Sequence, residues 1–133
     1  MTSSTDFYQL DSHLTEEERM IRNTTREFVD EQVRPDIGEH FTEGEFPLDV
    51  VPEMAELGFF GANFDYEGFP NVSERAYGLI MQELERGDSG IRSYVSAHAA
   101  LSMYAILAYG SEEQKEEYLH DMRDGDVVGC FGL

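Results

Sequence analysis

The run "IRSYVSAHAALSMYAILAYGS" constrains this chain more than any other feature. From Ser93 to Ser111 no residue carries a formal charge, and Arg92 is the single charged residue between Ile91 and Gly110. An uncharged stretch of this length either crosses a membrane or forms the buried centre of a helical bundle. Ser93, Ser96, His98 and Ser102 make it too polar for lipid, and the segments around it are strongly amphipathic. It is therefore expected as the central helix of a bundle, with Ala and Ser residues that let its neighbours approach closely.

The surrounding helices announce themselves by their caps. In "LTEEERMIRNTTREFVDEQVRP", Thr15 and Glu18 have capping-box spacing and the first turn is acidic. Met20, Ile21, Phe28 and Val29 fall on one side, so an amphipathic helix is expected to reach about Val33, where Pro35 interrupts it. In "FPLDVVPEMAELGFFG", Asp49 is the expected N-cap, because Pro52 then lies in the first turn, and Gly58 is the expected stop. "GFFGANFDYEGFPN" reads as loop. Ser73 or Asn71 can cap "SERAYGLIMQELERGD", with Leu79, Ile80 and Leu84 turned inward, and Asp88 or Ser89 can cap the central helix. Ser111 and Gln114 have capping-box spacing again before "EEQKEEYLHDMRDGD".

The tail "DVVGCFGL" reads as one strand with nothing in the chain to pair against. The expected architecture is all-α, about five helices, followed by the first strand of a β domain. Its divisions are a tail over residues 1–13, a helical domain over 14–124 and the start of the β domain over 125–133.

Composition narrows the function. The 133 residues carry 28 Asp and Glu against nine basic residues, a net charge of -19, and Lys115 is the one lysine. Such a surface repels phosphates and anionic lipid, which argues against nucleic acid or a membrane as partner. It also has the style of proteins from salt-rich cytoplasm. The single cysteine, Cys130, permits no internal disulfide, no Cys/His cluster has zinc spacing, and the N-terminus has no signal-peptide pattern. A reducing, cytoplasmic location is expected.

Arg92 stands in or beside the first turn of the central helix, where the helix dipole disfavours a cation by about 0.3–1 kcal/mol. Two compensations are open. One is an ion pair with Asp88 or Glu85; the other is a bound anion held by the guanidinium fork and free helix N–H groups.

The run "YGLIMQELERGDSGIRSYVSAHAALSMYAILAYGSEEQKEEYL", continuing to "GDVVGCFGL", resembles the N-terminal helical domain of acyl-CoA dehydrogenases, most closely their glutaryl-CoA dehydrogenase branch. "YGSEEQK..YL" is general to the superfamily; "ELER.DSG.RS" and "GCFGL" point to the glutaryl branch. The resemblance implies that Arg92 and Ser93 contact the distal carboxylate of a substrate, with Glu85 near the same pocket and Ser96 one turn further on. It implies that Phe131, Gly132 and Leu133 begin the contacts to FAD. It also implies an acyl-CoA thioester substrate, electron-transfer flavoprotein as redox partner and a homotetramer. In that chemistry a carboxylate base takes the α proton while the β hydrogen leaves as hydride to the flavin, and decarboxylation then yields crotonyl-CoA. The base belongs to a C-terminal bundle, so this chain carries no catalytic residue and is expected to be inactive alone.

Two positions depart from the family pattern: Tyr66-Glu67-Gly68-Phe69-Pro70 in the glycine-rich turn, and Pro52. His98, between Ala97 and Ala99, reads as a core histidine bonded to backbone. Tyr94, Met103 and Tyr104 read as packing, and Cys130 has no basic neighbour to activate it. The rival reading is a free-standing helical interaction module that keeps the fold without the chemistry.

Overall fold

The computed structural model describes residues 7–132. Among these the structure is all-helical, with six helices and no strand. α1 is Glu16–Phe28, prolonged by a π-helical turn, Val29–Val33; α2 is Ile37–Glu43; α3 is Val51–Glu56, entered through the 3-10 turn Leu48–Val50. α4 is Glu74–Gly87. α5 is one rod over residues 89–109, helical at Ser89–Val95 and Tyr104–Tyr109 and π-helical at Ser96–Met103. α6 is Glu112–Arg123.

The caps lie where the local pattern places them. Thr15 accepts from the Glu18 N–H while the Glu18 carboxylate accepts from the Thr15 N–H, and Ser111 with Gln114 repeats the arrangement. Ser73 caps α4, and Asp88 Oδ1 accepts from the Ile91 N–H at 2.9 Å to cap α5. Each such cap contributes about 1 kcal/mol. Gly58, at φ 73°, ends α3: its N–H reaches Ala55 O and that of Phe59 reaches Met54 O, the paired bonds of a left-handed stop.

Two local expectations are corrected. Asp49 is not a side-chain cap, because Leu48–Val50 winds as a 3-10 turn and α3 starts one residue after Val50, with Pro52 still in its first turn. Met20 does not join the core: it is 62% exposed, while Ile21 is half-buried and Phe28 and Val29 are buried. A helix that the sequence pattern did not single out, α2, follows Pro35 and is stopped by Gly44 at φ 73°.

The core gathers Phe28, Val29 and Val33 of α1, Met54 of α3, Phe59, Phe60 and Phe64 of the connection, Ile80 and Leu84 of α4, Ile91, Val95 and Met103 of α5, and Leu119 and Met122 of α6. α1 and α4 come close where Gly87 meets Val29; a Cβ at Gly87 would lie 2.7 Å from Val29 Cγ1. α5 is central on one face only. Ile91, Val95, His98, Ala99 and Met103 are buried, whereas Leu101, Tyr104 and Tyr109 on the other side are exposed, since no described element covers them. Within the stretch expected as an N-terminal tail, Leu10–His13 forms a 3-10 turn whose Asp11 carboxylate pairs with Arg22. No helix of the described residues is long and apolar enough to cross a membrane.

The segment after α6, expected as a strand, has no strand partner among the described residues and passes through turns and bends without a ladder. Instead it is pinned by a side chain: the Gly129 N–H donates to His98 Nδ1 at 3.0 Å, and His98 Nε2 donates to Met122 O at 2.8 Å.

Candidate functional site

The capped start of α5 brings Arg92 against α4. Its Nε donates to Glu85 Oε2 at 2.6 Å and its Nη1 to Ser96 Oγ at 3.3 Å, while the Ser96 hydroxyl donates to Ser93 O at 3.1 Å. Asp88 is engaged as the cap, so of the two ion-pair partners considered, Glu85 is the one used. Among the described residues Arg92 Nη2 has no partner, which leaves the outer edge of the guanidinium with a donor to offer. The structure thus joins Arg92, Glu85 and Ser96 directly, and Ser93 through its carbonyl oxygen.

The polar cluster has an aromatic neighbour that the motif did not single out. Burial pushes the Tyr77 hydroxyl above its ordinary range, the Glu74 charge adds to this, and the Arg92 charge acts in the opposite sense. Tyr77, Met81 and Glu85 stand four residues apart on α4, so they share the face that α5 packs against. That spacing was visible in the sequence and was the available signal.

Phe131 and Gly132 lie elsewhere. Both are exposed, and Phe131 edges an apolar groove of about 380 Å³ formed with Leu101, Ser102, Ile106, Tyr118 and Met122. Ser102 is ten residues beyond Arg92 on α5, with most of the π-helical stretch Ser96–Met103 between them. The two groups of expected site residues therefore sit at different levels of one helix and do not touch. Leu133 lies outside the described residues.

His98 sits between these levels as a core histidine. It is 1% exposed, its ring stacks on Tyr94 at 6.0 Å and meets the Phe60 edge at 4.7 Å, and both nitrogens are bonded to backbone. Met103 is buried and Tyr94 half-buried, as packing residues; Tyr104 is half-exposed beside Phe64. In the departing turn, Arg123 Nη1 donates to Gly68 O at 2.9 Å while Tyr66 and Phe69 lie against His120, so this loop is fastened to α6. Among the described residues no cluster of three or more His, Cys, Asp or Glu could hold a metal ion.

A helical domain with a charged cluster at the head of its central helix, and an apolar groove where its tail departs, matches a known domain. Residues 15–126 match the acyl-CoA dehydrogenase N-terminal domain, and the chain belongs to the acyl-CoA dehydrogenase family. Among solved structures, a glutaryl-CoA dehydrogenase from Mycobacterium smegmatis in complex with FADH2 superimposes with a TM-score of 0.91 and 41% identity, over 95% of this chain and 33% of that one. The butyryl-CoA dehydrogenase of Megasphaera elsdenii gives a TM-score of 0.81 at 27% identity, over 90% of this chain and 32% of that one. The 3-(aryl)acrylate reductase of Clostridium sporogenes is 35% identical over 90% of this chain and 32% of its own length. The chain spans about a third of the length of these relatives.

Proposed function

We propose that this chain supplies the N-terminal domain of a flavin-dependent acyl-CoA dehydrogenase whose substrate is a glutaryl-type thioester, with decarboxylation after α,β-dehydrogenation. The observation that carries the reading is Arg92. A cation at the head of an uncharged helix is held in one orientation by Glu85 and Ser96 and keeps an unpartnered Nη2. A carboxylate at the far end of an acyl chain would complete that donor set, so the arginine positions the substrate and forms no bond to the reacting carbons. Higher identity to the glutaryl-CoA dehydrogenase than to the butyryl-CoA dehydrogenase points the same way.

FAD belongs to this reading, and the tail fits it. Among the described residues the backbone of Cys130, Phe131 and Gly132 hydrogen-bonds to nothing, and it runs beside the apolar groove, so N–H and C=O groups and an apolar face are offered together to a flat ring with a polar edge. Bound flavin supplies the hydride acceptor for the dehydrogenation. Phe131 and Gly132 would hold it, no residue of this chain serves as the base, and electron-transfer flavoprotein is the proposed electron acceptor of a homotetrameric, cytoplasmic whole protein.

The test is Arg92→Ala in the flavin-loaded protein that carries this domain. Once the bound acyl chain and the rest of the whole protein close this site off from water, losing one side of the charge pair costs about 2–5 kcal/mol. That corresponds to a fall of about 30- to 5,000-fold in kcat/KM for the glutaryl thioester. The butyryl thioester brings no charge and should be turned over as well or better. Equal losses on both substrates would assign Arg92 to the scaffold alone.

A further inference from the structure

We propose that His98 is a proton-sensitive latch that holds the segment departing from α6 against α5 and releases it on protonation. The two bonds of its ring define one state. Met122 O can only accept and the Gly129 N–H can only donate, so Nε2 carries the hydrogen and Nδ1 keeps its lone pair. That is the neutral imidazole in a single tautomer. A proton added to Nδ1 would face the Gly129 N–H, donor against donor, and that bond could not persist.

What the latch holds is closely fitted. A Cβ at Gly129 would collide with Met122 Cε and lie 2.6 Å from Ser102 Cβ, so the backbone there is pressed into the α5–α6 groove with no room for a side chain. Upstream, Asp126 N–H and Val127 N–H both donate to Asp121 O. Downstream, Cys130 to Gly132 have no hydrogen bond among the described residues. The Gly129 bond is therefore the last fixed point before the tail.

Among the described residues no charged side chain contacts His98. From α5 it faces Tyr94, from the connection Phe60, from α6 the Met122 carbonyl, and from the tail Gly129. Asp121 and Cys130, beside those contacts, are exposed, and Arg123 is turned to Asp124 and Gly68. Burial pushes the imidazole below its ordinary 6.5; the bond from Nε2 to Met122 O acts the other way, whereas the Gly129 N–H on the Nδ1 lone pair favours the neutral ring. Release is thus confined to acid conditions below that value. Where Phe131 and Gly132 contact flavin, a link that rests on the proposed function, His98 becomes a positioning residue for the cofactor segment.

The experiment needs no cofactor: hydrogen exchange of the Gly129 amide in the 133-residue chain, with imidazole nitrogen shifts, from pH 7.5 downward. The amide should be protected while His98 is neutral and lose protection about tenfold for each pH unit below the His98 midpoint, after correction for intrinsic exchange. Gln offers the same donor and acceptor without a titratable proton, so His98→Gln should keep Gly129 protected through that range, and His98→Leu should lose protection at every pH. Protection that survives protonation of His98, or an equal acid loss in His98→Gln, overturns the latch. Neither result bears on whether the tail meets flavin.

Discussion

Arg92 and Glu85 are joined by a bond of 2.6 Å from Nε to Oε2, which ties the first turn of α5 to the end of α4. The carboxylate orients the guanidinium and also competes for it. A substrate carboxylate arriving at the outer edge would place two negative charges on one cation.

Glu85→Gln should therefore sharpen the proposed selectivity. The amide oxygen can still accept from Arg92, but the negative charge beside the pocket is gone. For charges this exposed the gain is about 0.5–1 kcal/mol, a KM for the glutaryl thioester lower by about two- to fivefold. The butyryl thioester should be unaffected. Weaker glutaryl binding in the variant would instead show that Arg92 needs the full charge of Glu85 to hold its geometry.

A second charged junction sets stability. Glu83 of α4, with 1% of its side chain exposed, accepts from Arg26 of α1 at 2.6 and 3.1 Å and from Arg86 at 2.8 Å, and Arg86 also reaches Asp30 at 2.9 Å. Glu83→Gln leaves the arginines short of a charged acceptor and should cost about 1–3 kcal/mol, read from denaturant unfolding at pH 7. Burial raises the Glu83 carboxyl, but the two guanidiniums outweigh it and hold the group below its ordinary 4.5. The unfolded chain then binds the extra proton, so this contribution is complete above pH 4.5 and disappears as pH falls through the lower folded value. The gap between wild type and variant should close in acid. A gap that stays constant to pH 3 would deny the ion pair its role.

Salt should change the association state of the 133-residue chain. Leu101, Tyr104, Tyr109, Tyr118, Val128 and Phe131 are exposed along α5, α6 and the tail, and apolar surface of this kind drives association. At low salt a net charge of -19 opposes it. Light scattering should show a monomer that associates as salt rises, and Phe131→Ser with Val128→Ser should suppress the change. A monomer at every salt concentration would contradict the expectation.

Much of the fold was legible because its signals are local. The boxes of Thr15 with Glu18 and Ser111 with Gln114, and the Asp88 cap, join groups three residues apart, so their partners are chosen before any helix packs. Asp49 misled because a proline near a helix start permits either a cap or a 3-10 entry, and the packing of Val50 and Val51 into the core decides between them. Met20 misled because periodicity gives a direction around a helix and not which neighbour lies there.

By itself the sequence determined the uncharged central helix, the amphipathic helices around it, the capped starts at Thr15, Ser73, Asp88 and Ser111, and the acidic surface. These follow from backbone preference and hydrophobic period, which act over a few residues. Only the tertiary structure decided that Glu83 is buried between Arg26 and Arg86, that Arg92 chooses Glu85 over Asp88, and that His98 grips Gly129 from 31 positions away. A polar side chain reads the same in sequence whether it meets water or a partner; its role is set when packing removes the water and leaves one partner within reach.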